Sequence, residues 1–358
     1  NTELGLYGIN YHSRTPIAST LAGTPSEINI NLGPLLRFNY PQRNADAARI
    51  FAEYPEDIQL FGLSFNTPGP FGLALGGEYS FRPNLPLQIA TPELVLAALG
   101  LPNQAGQPHD LAPTPSGDRL AEGSYIRGYR DVKAHQLQLT ALKAFPNVLG
   151  AAQAIALLEA AYVYLDLPEG IKFNGPGVYL PSRQSGATLA SLLGTTVVDF
   201  SYPNPIVANG SVQPGDQGYA TKSSWGLRAV GRLEYPDVFA GINLLPRVIF
   251  AWDVKGVSPF LTEDVKSASL GLTATYNQVW SADISYTAFF GGRVFKGTDC
   301  QNGLTTIGGA TLISGDTLCN PGFPVLGDLT GIPDGQVRTY ESIANPNIDR
   351  DFLAASIS

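Results

Sequence analysis

Nine charged residues stand at regular intervals inside otherwise apolar or small-residue stretches: Glu78, Arg82, Glu159, Arg228, Arg232, Glu234, Arg247, Asp253 and Asp283. In an extended chain, side chains two residues apart share a face. Carboxylates and guanidiniums placed this way form a polar ladder along one side of several strands, not a set of isolated catalytic groups. Two uses fit such a ladder: a salt-bridged interior that stiffens a closed structure, or the polar lining of a permeation route. Both signs of charge are present, so strong anion or cation selectivity is not expected. The three histidines, His12, His109 and His135, lie far apart and lack metal-ligand spacing with each other or with cysteine. His135, beside Lys133, is expected to belong with the inward polar residues. There is no G-x-S-x-G elbow, no phosphate-binding glycine loop and no C-x-x-C. No catalytic residue, metal ligand or cofactor is therefore expected. Cys300 and Cys319 are the only cysteines. In an exposed loop of an oxidising compartment they are expected to form a disulfide, and closing a loop of about twenty residues is worth roughly 3 kcal/mol.

The elements that carry the ladder are strands. Charged residues make up only 15% of the 358 residues, hydrophobic ones 44%, and there are 39 Gly, 28 Pro, 16 Tyr and 17 Phe. That balance excludes a disordered chain. The net charge of −8, with no basic stripe, excludes a nucleic-acid partner. A membrane-spanning helix needs about 20 mostly apolar residues; stretches such as 144–158 and 267–282 are shorter, and the first contains Pro146. Alternation is plain in Phe71–Arg82, where Phe71, Leu73, Leu75, Gly77, Tyr79 and Phe81 oppose Gly72, Ala74, Gly76, Glu78, Ser80 and Arg82. It returns at 225–235, 242–255, 270–276 and 280–290, with a turn placed at Pro236-Asp237.

Strands are expected near 3–13, 58–66, 71–82, 130–144, 151–165, 219–235, 241–255, 264–276, 279–291 and 350–358. Several reach the 9–11 residues of a tilted membrane-spanning strand, against about 5–6 in soluble sheets. Aromatic residues near strand ends resemble interfacial girdles: Tyr7 and Tyr11, Tyr162 and Tyr164, Trp225 and Tyr235, Tyr276 and Trp280. The links alternate between short turns and long loops, the latter through about 14–57, 83–129, 166–218 and 292–349, with 256–263 of modest length. That sidedness belongs to outer-membrane barrels, whose short turns are periplasmic. The expected fold is all-β: a single antiparallel transmembrane β-barrel domain over 1–358, about ten strands visible here, with more N-terminal to this chain. Leu73, Leu75, Tyr79, Trp225, Leu227, Leu244, Val248, Phe250, Leu270, Leu272, Ile284 and Tyr286 should face lipid, and the nine-residue ladder the lumen. No signal peptide opens the chain, so either one has been removed or the sequence begins inside a larger protein. One loop carries a helix signal: Thr91 as N-cap, Pro92 and Glu93 in the first turn, then 94–99 ending at Gly100. Such a helix would seal the barrel mouth or offer a hydrophobic capture surface.

Several segments resemble a known family. They are 53–66 (EYPEDIQLFGLSFN), 128–132 (GYRDV), 218–226 (GYATKSSWG), 253–256 (DVKG), 285–292 (SYTAFFGG) and 349–352 (DRDF). Together they make the chain similar to the proteobacterial outer-membrane family called domain of unknown function 1302, and specifically to the C-terminal majority of a longer member. The resemblance implies an outer-membrane barrel, encoded with hydrophobic-compound catabolism and envelope lipoprotein partners; it supplies no catalytic residues. The expected function is passive diffusion of small hydrophobic or aromatic molecules across a bacterial outer membrane, in contact with its lipid and lipopolysaccharide. The alternatives are a structural barrel anchoring a multi-protein envelope complex and, less favoured, an outer-membrane hydrolase.

Overall fold

Alternating residues with few charges form long strands because each strand can then give one whole face to an apolar environment and the other to a polar one. The computed structural model contains ten such strands. They are β1 (Glu3–Tyr11), β2 (Ile58–Pro68), β3 (Leu73–Gln88), β4 (Tyr129–Val148), β5 (Ala151–Leu165), β6 (Ser223–Phe239), β7 (Ile242–Lys255), β8 (Val265–Tyr276), β9 (Trp280–Gly291) and β10 (Phe352–Ile357). The structure describes residues 1–31, 37–44, 46–101, 103–107, 121–179, 182, 217–277, 279–298, 305–307, 310–313 and 339–358.

The ten strands form one antiparallel sheet in sequence order, each hydrogen-bonded to its neighbours in the chain. The sheet is not closed into a barrel: β1 and β10 are its two edges. Because the sheet is an up-and-down meander, its connections alternate between two ends. The links after β2, β4, β6 and β8 are tight turns at one end; the longer links after β1, β3, β5, β7 and β9 gather at the other.

Several strands outrun the expected limits. β3 continues to Gln88, past a register shift between Arg82 and Leu85. β4 reaches 20 residues and carries Pro146 near its end. β6 does not turn at Pro236-Asp237. A register shift between Tyr235 and Phe239 absorbs those residues, and the chain reverses at Ala240-Gly241, whose φ values of 48° and 81° suit a two-residue hairpin turn. Leu149-Gly150 do the same between β4 and β5, at φ 55° and 78°.

The long connections hold structure that local periodicity does not reveal. Arg49–Glu53, Ile17–Leu21 and Tyr125–Ile126 form a three-stranded sheet drawn from two different connections. Two-stranded pairs also form between Thr24–Asn31 and Arg37–Asn44, and between Val294–Thr298 and Thr339–Ile343. Helix α1 spans Thr91–Ala98. Thr91 is its first residue and not the N-cap; Ala90 takes that place, with no side-chain cap bond. The apolar surface of α1 is turned inward: Leu94, Leu96, Ala97 and Ala98 are buried, and Val95 is left exposed. The helix thus packs its apolar residues into the protein interior.

The principal core lies where this cap meets the sheet. Leu94, Ala97 and Ala98 of α1, with Ile89, Ile126, Phe173 and Leu261, pack on Leu85, Leu87, Val132, Ala134, Val163 and Leu165 of the sheet. The register puts Ala134 opposite Arg82 and Leu165, and Val163 opposite Gln136. The cap thus sits on the face that carries the polar ladder, over the long-connection ends of the strands. Gln88 fastens it: its amide oxygen accepts from Ala18 N at 2.7 Å, and its amide nitrogen donates to the carbonyls of Ala18 and Gly128 at 3.0 and 2.8 Å.

Candidate functional site

The cross-strand register carries one face of the sheet from edge to edge. Glu78 pairs with Ser64 and Gln138, Thr140 with Glu159, Glu159 with Arg228, Arg232 with Arg247, Gly226 with Asp253, and Thr273 with Asp283. Arg82 and Glu234 share parity with Glu78 and Arg232. All nine ladder residues therefore stand on one face. The opposite face carries the aliphatic and aromatic set: Leu75 beside Ala141, Tyr79 beside Leu137, Tyr162 beside Trp225, Ala229 beside Phe250, Val248 beside Leu270, and Leu272 beside Ile284. This apolar face is open. Leu6 is 84% exposed, Leu270 65% and Ile284 49%, so these residues do not form a closed core.

The polar side chains are largely bonded along the wall. Arg228 meets Asp253 at 2.7 Å, and the second oxygen of Asp253 accepts from Thr262 N at 2.8 Å. Glu159 accepts from Gln138 Nε2 at 2.7 Å. Arg247 faces Arg232 in register and turns away from it, across β8, to donate two bonds to Asp283 at 2.5 and 2.9 Å. Thr273 Oγ1 adds a third bond to Asp283 at 2.6 Å. Gly271 makes that crossing possible: a Cβ there would lie 2.6 Å from the guanidinium carbon of Arg247. Tyr7 repeats the device. It lies over Gly62, where a Cβ would fall 2.0 Å from its ring, and donates to Glu78 Oε1 at 2.7 Å. Arg232 and Glu234 have no ion pair among the described residues. Arg82 stands at the upper end of the ladder, beneath the cap. Near the tight-turn end, a concavity of about 890 Å³ is lined in part by Glu3, Ser64, Asn66, Glu78, Gln138 and Thr140.

Three expected placements change. Tyr7 and Tyr11 are opposite Gly62 and Ile58 on the polar face, so they do not belong to an aromatic girdle on the apolar one. The remaining aromatics do lie on the apolar face, with Tyr162, Tyr164 and Trp225 at the long-connection end and Tyr235, Tyr276 and Trp280 at the tight-turn end. His135 is also on the apolar face, opposite Phe81 and Tyr164. Its Nδ1 shares a 2.7 Å hydrogen bond with the Tyr79 hydroxyl, and its ring centroid is 4.8 Å from that of Phe81. That bond satisfies the imidazole among aromatic neighbours.

Of the other histidines, His12 Nδ1 accepts from Asp57 N at 3.2 Å, and His109 lies outside the described residues. So do Cys300 and Cys319. No group of His, Cys, Asp and Glu able to hold a metal ion occurs among the described residues, and no helix among them is long and apolar enough to cross a membrane. The partners Thr273, Gln138 and Tyr7 carry no charge to mark them; for Thr273 and Gln138 the signal is alternation with Leu272 and with Leu137 and Leu139 on their own strands, and Tyr7 has none.

A search of the curated proteins finds no match to this chain. The family model described as "Protein of unknown function (DUF1302)" matches residues 1–358, so the chain belongs to that family.

Proposed function

We propose that the ten-stranded sheet is the wall of an outer-membrane β-barrel through which small, hydrophobic or aromatic molecules diffuse. The observation that carries this reading is the pair of unlike faces. An open apolar face of this extent on a monomer marks a membrane or interaction surface, and its aromatic residues fall at both strand ends, where girdles meet the two interfaces. The polar face, with its wall-bonded charges, is the lumen side, and the cap of α1 and its neighbouring strands closes the extracellular mouth. The tight turns are periplasmic in this arrangement.

Reconstitution into liposomes tests it. Uptake of an aromatic or long-alkyl solute is expected to exceed that of empty liposomes, and deletion of loop residues 89–123 is expected to raise it further. Uptake equal to that of empty liposomes refutes transport. The buried seal of α1 on the polar face favours a second reading, a closed barrel serving as the anchor of an envelope complex, and that reading predicts no uptake by either form.

A further inference from the structure

Arg82 differs from the other ladder arginines with bonded partners. Arg228 and Arg247 each have an aspartate; Arg82 has no carboxylate within ion-pair distance among the described residues. Its Nη1 reaches Ser80 Oγ and Gln136 Oε1 only at 3.5 Å each, the far limit of a hydrogen bond. Its Nε is buried with no partner among the described residues. A guanidinium has five donors in a planar fork suited to carboxylate and related anions, and a partly buried cation gains most from a counter-charge. Most of that capacity is unused here.

The second observation is an aromatic residue brought in from a distant strand. Phe260 belongs to the connection between β7 and β8, four strands from β3 in the sheet order. At about 4.8 Å per strand, that is roughly 19 Å along the sheet. The connection folds across the polar face, and its ring centroid stands 5.5 Å from the guanidinium carbon of Arg82. Its course is fixed by its own bonds. Ser258 Oγ accepts from Phe260 N and Leu261 N at 3.3 and 3.2 Å, Ser258 N donates to Leu261 O at 2.8 Å, and Thr262 N donates to Asp253. Leu261 is buried against Gly226 in the principal core. Phe260 remains 43% exposed at the tip, so it is held in place without being consumed by packing.

We infer that Arg82 and Phe260 together form a binding site for a small organic anion with an aromatic or apolar body, its carboxylate or sulfonate on the guanidinium and its body against the ring. This rests on the channel reading for its role, where it would select solutes just below the cap, and it narrows the solute class from hydrophobic molecules to amphipathic anions. The nearby Ser80 and Gln136 supply further polar contacts.

The test is equilibrium binding to the detergent-solubilised protein, with benzenesulfonate as a permanent anion and phenyltrimethylammonium as its cationic counterpart. Calorimetry is expected to register the anion and not the cation. Arg82→Gln is expected to weaken anion binding about tenfold or more, the scale of a hydrogen-bonded charge. Arg82→Lys should recover part of it, and Phe260→Ala should weaken it several-fold. Arg127→Gln, which alters a surface guanidinium paired with Asp131 at 3.4 Å, should leave it unchanged. Equal binding of the two probes, no binding of either, or undiminished binding by a folded Arg82→Gln protein overturns the inference. Liposome uptake of the same probes decides the channel reading separately: anion binding without uptake would leave the site standing and remove its transport role.

Discussion

Replacing Leu270 by arginine separates a lipid-facing sheet from a water-facing one. Leu270 is the sixth of the 12 residues of β8 and is 65% exposed on the apolar face. At about 3.4 Å per residue, a strand of that length covers roughly 40 Å along its axis, and about 30 Å along the membrane normal at a tilt near 40°. Leu270 is then close to mid-bilayer, where arginine costs about 2–4 kcal/mol. On a water-facing surface, the same change lies within about 0.5 kcal/mol of zero. The neighbouring Ser269 points to the other face, where its hydroxyl bonds Thr287 at 3.0 Å. Ser269→Arg puts the same charge at the same depth on the lumen side and should cost about 1 kcal/mol or less, the worth of the hydrogen bond it breaks. Reversible urea unfolding in lipid vesicles, followed by tryptophan fluorescence, measures both. A Leu270→Arg cost below about 1 kcal/mol, or equal costs for the two variants, would refute the assignment of faces.

Four further outcomes follow from the same geometry. Gly271→Val should dislodge Arg247 from Asp283, and its destabilisation should not add to that of Arg247→Ala in a double-mutant cycle; additivity would mean that the glycine does not serve the crossing. Glu93 is fully buried and accepts from Gln104 N and Ser182 N at 2.6 Å each, so Glu93→Ala should loosen the cap by about 3 kcal/mol and speed tryptic cleavage at Lys172 while the sheet persists. Asp351, ahead of β10, accepts from Phe289 N and the Tyr286 hydroxyl at 2.8 and 2.7 Å, and these bonds hold its carboxyl below the usual 3.8. Because the folded pKa is the lower one, its contribution is full above the ordinary value and is lost as pH falls through the depressed one; hydrogen exchange at the Phe289 amide should quicken over that range in the wild type and lose the acid dependence in Asp351→Asn. Peptide mapping without reductant should recover Cys300 and Cys319 as one linked pair, and a free thiol at either position would refute the bond.

The sheet was legible because its signal is local. A period of two over ten or more residues fixes which face each side chain takes, and the register bears this out for Glu78 through Asp283. What escaped depends on residues far apart in the chain. The pairing of Ile17–Leu21 with Arg49–Glu53 and Tyr125–Ile126 joins three short stretches with no alternation long enough to read. The hold of Gln88 on Ala18, and of Phe260 on Arg82, likewise has no local signature. The place of His135 is hidden for another reason: its polarity points inward while its parity with Leu137 and Leu139 points outward, and a bonded imidazole tolerates an aromatic face. Pro236-Asp237 read as a turn from composition, but the two positive φ values of Ala240-Gly241 reverse the chain more tightly.

The alternation of tight and long connections also orders assembly in time. Closing a loop costs about (3/2)RT ln n, so the difference between a two-residue turn and the stretch of more than fifty residues between β5 and β6 is about 3 kcal/mol. The hairpins β2–β3, β4–β5, β6–β7 and β8–β9 can therefore form early, each as a unit that needs no distant partner. Joining hairpin to hairpin carries the larger entropic cost, and the cap offsets part of it by tying the long connections to one another. Phe260 on Arg82 bridges separate hairpins, and Gln88 on Ala18 ties the connection after β1 to the first of them, so contacts within the cap can form only once the hairpins they join stand side by side.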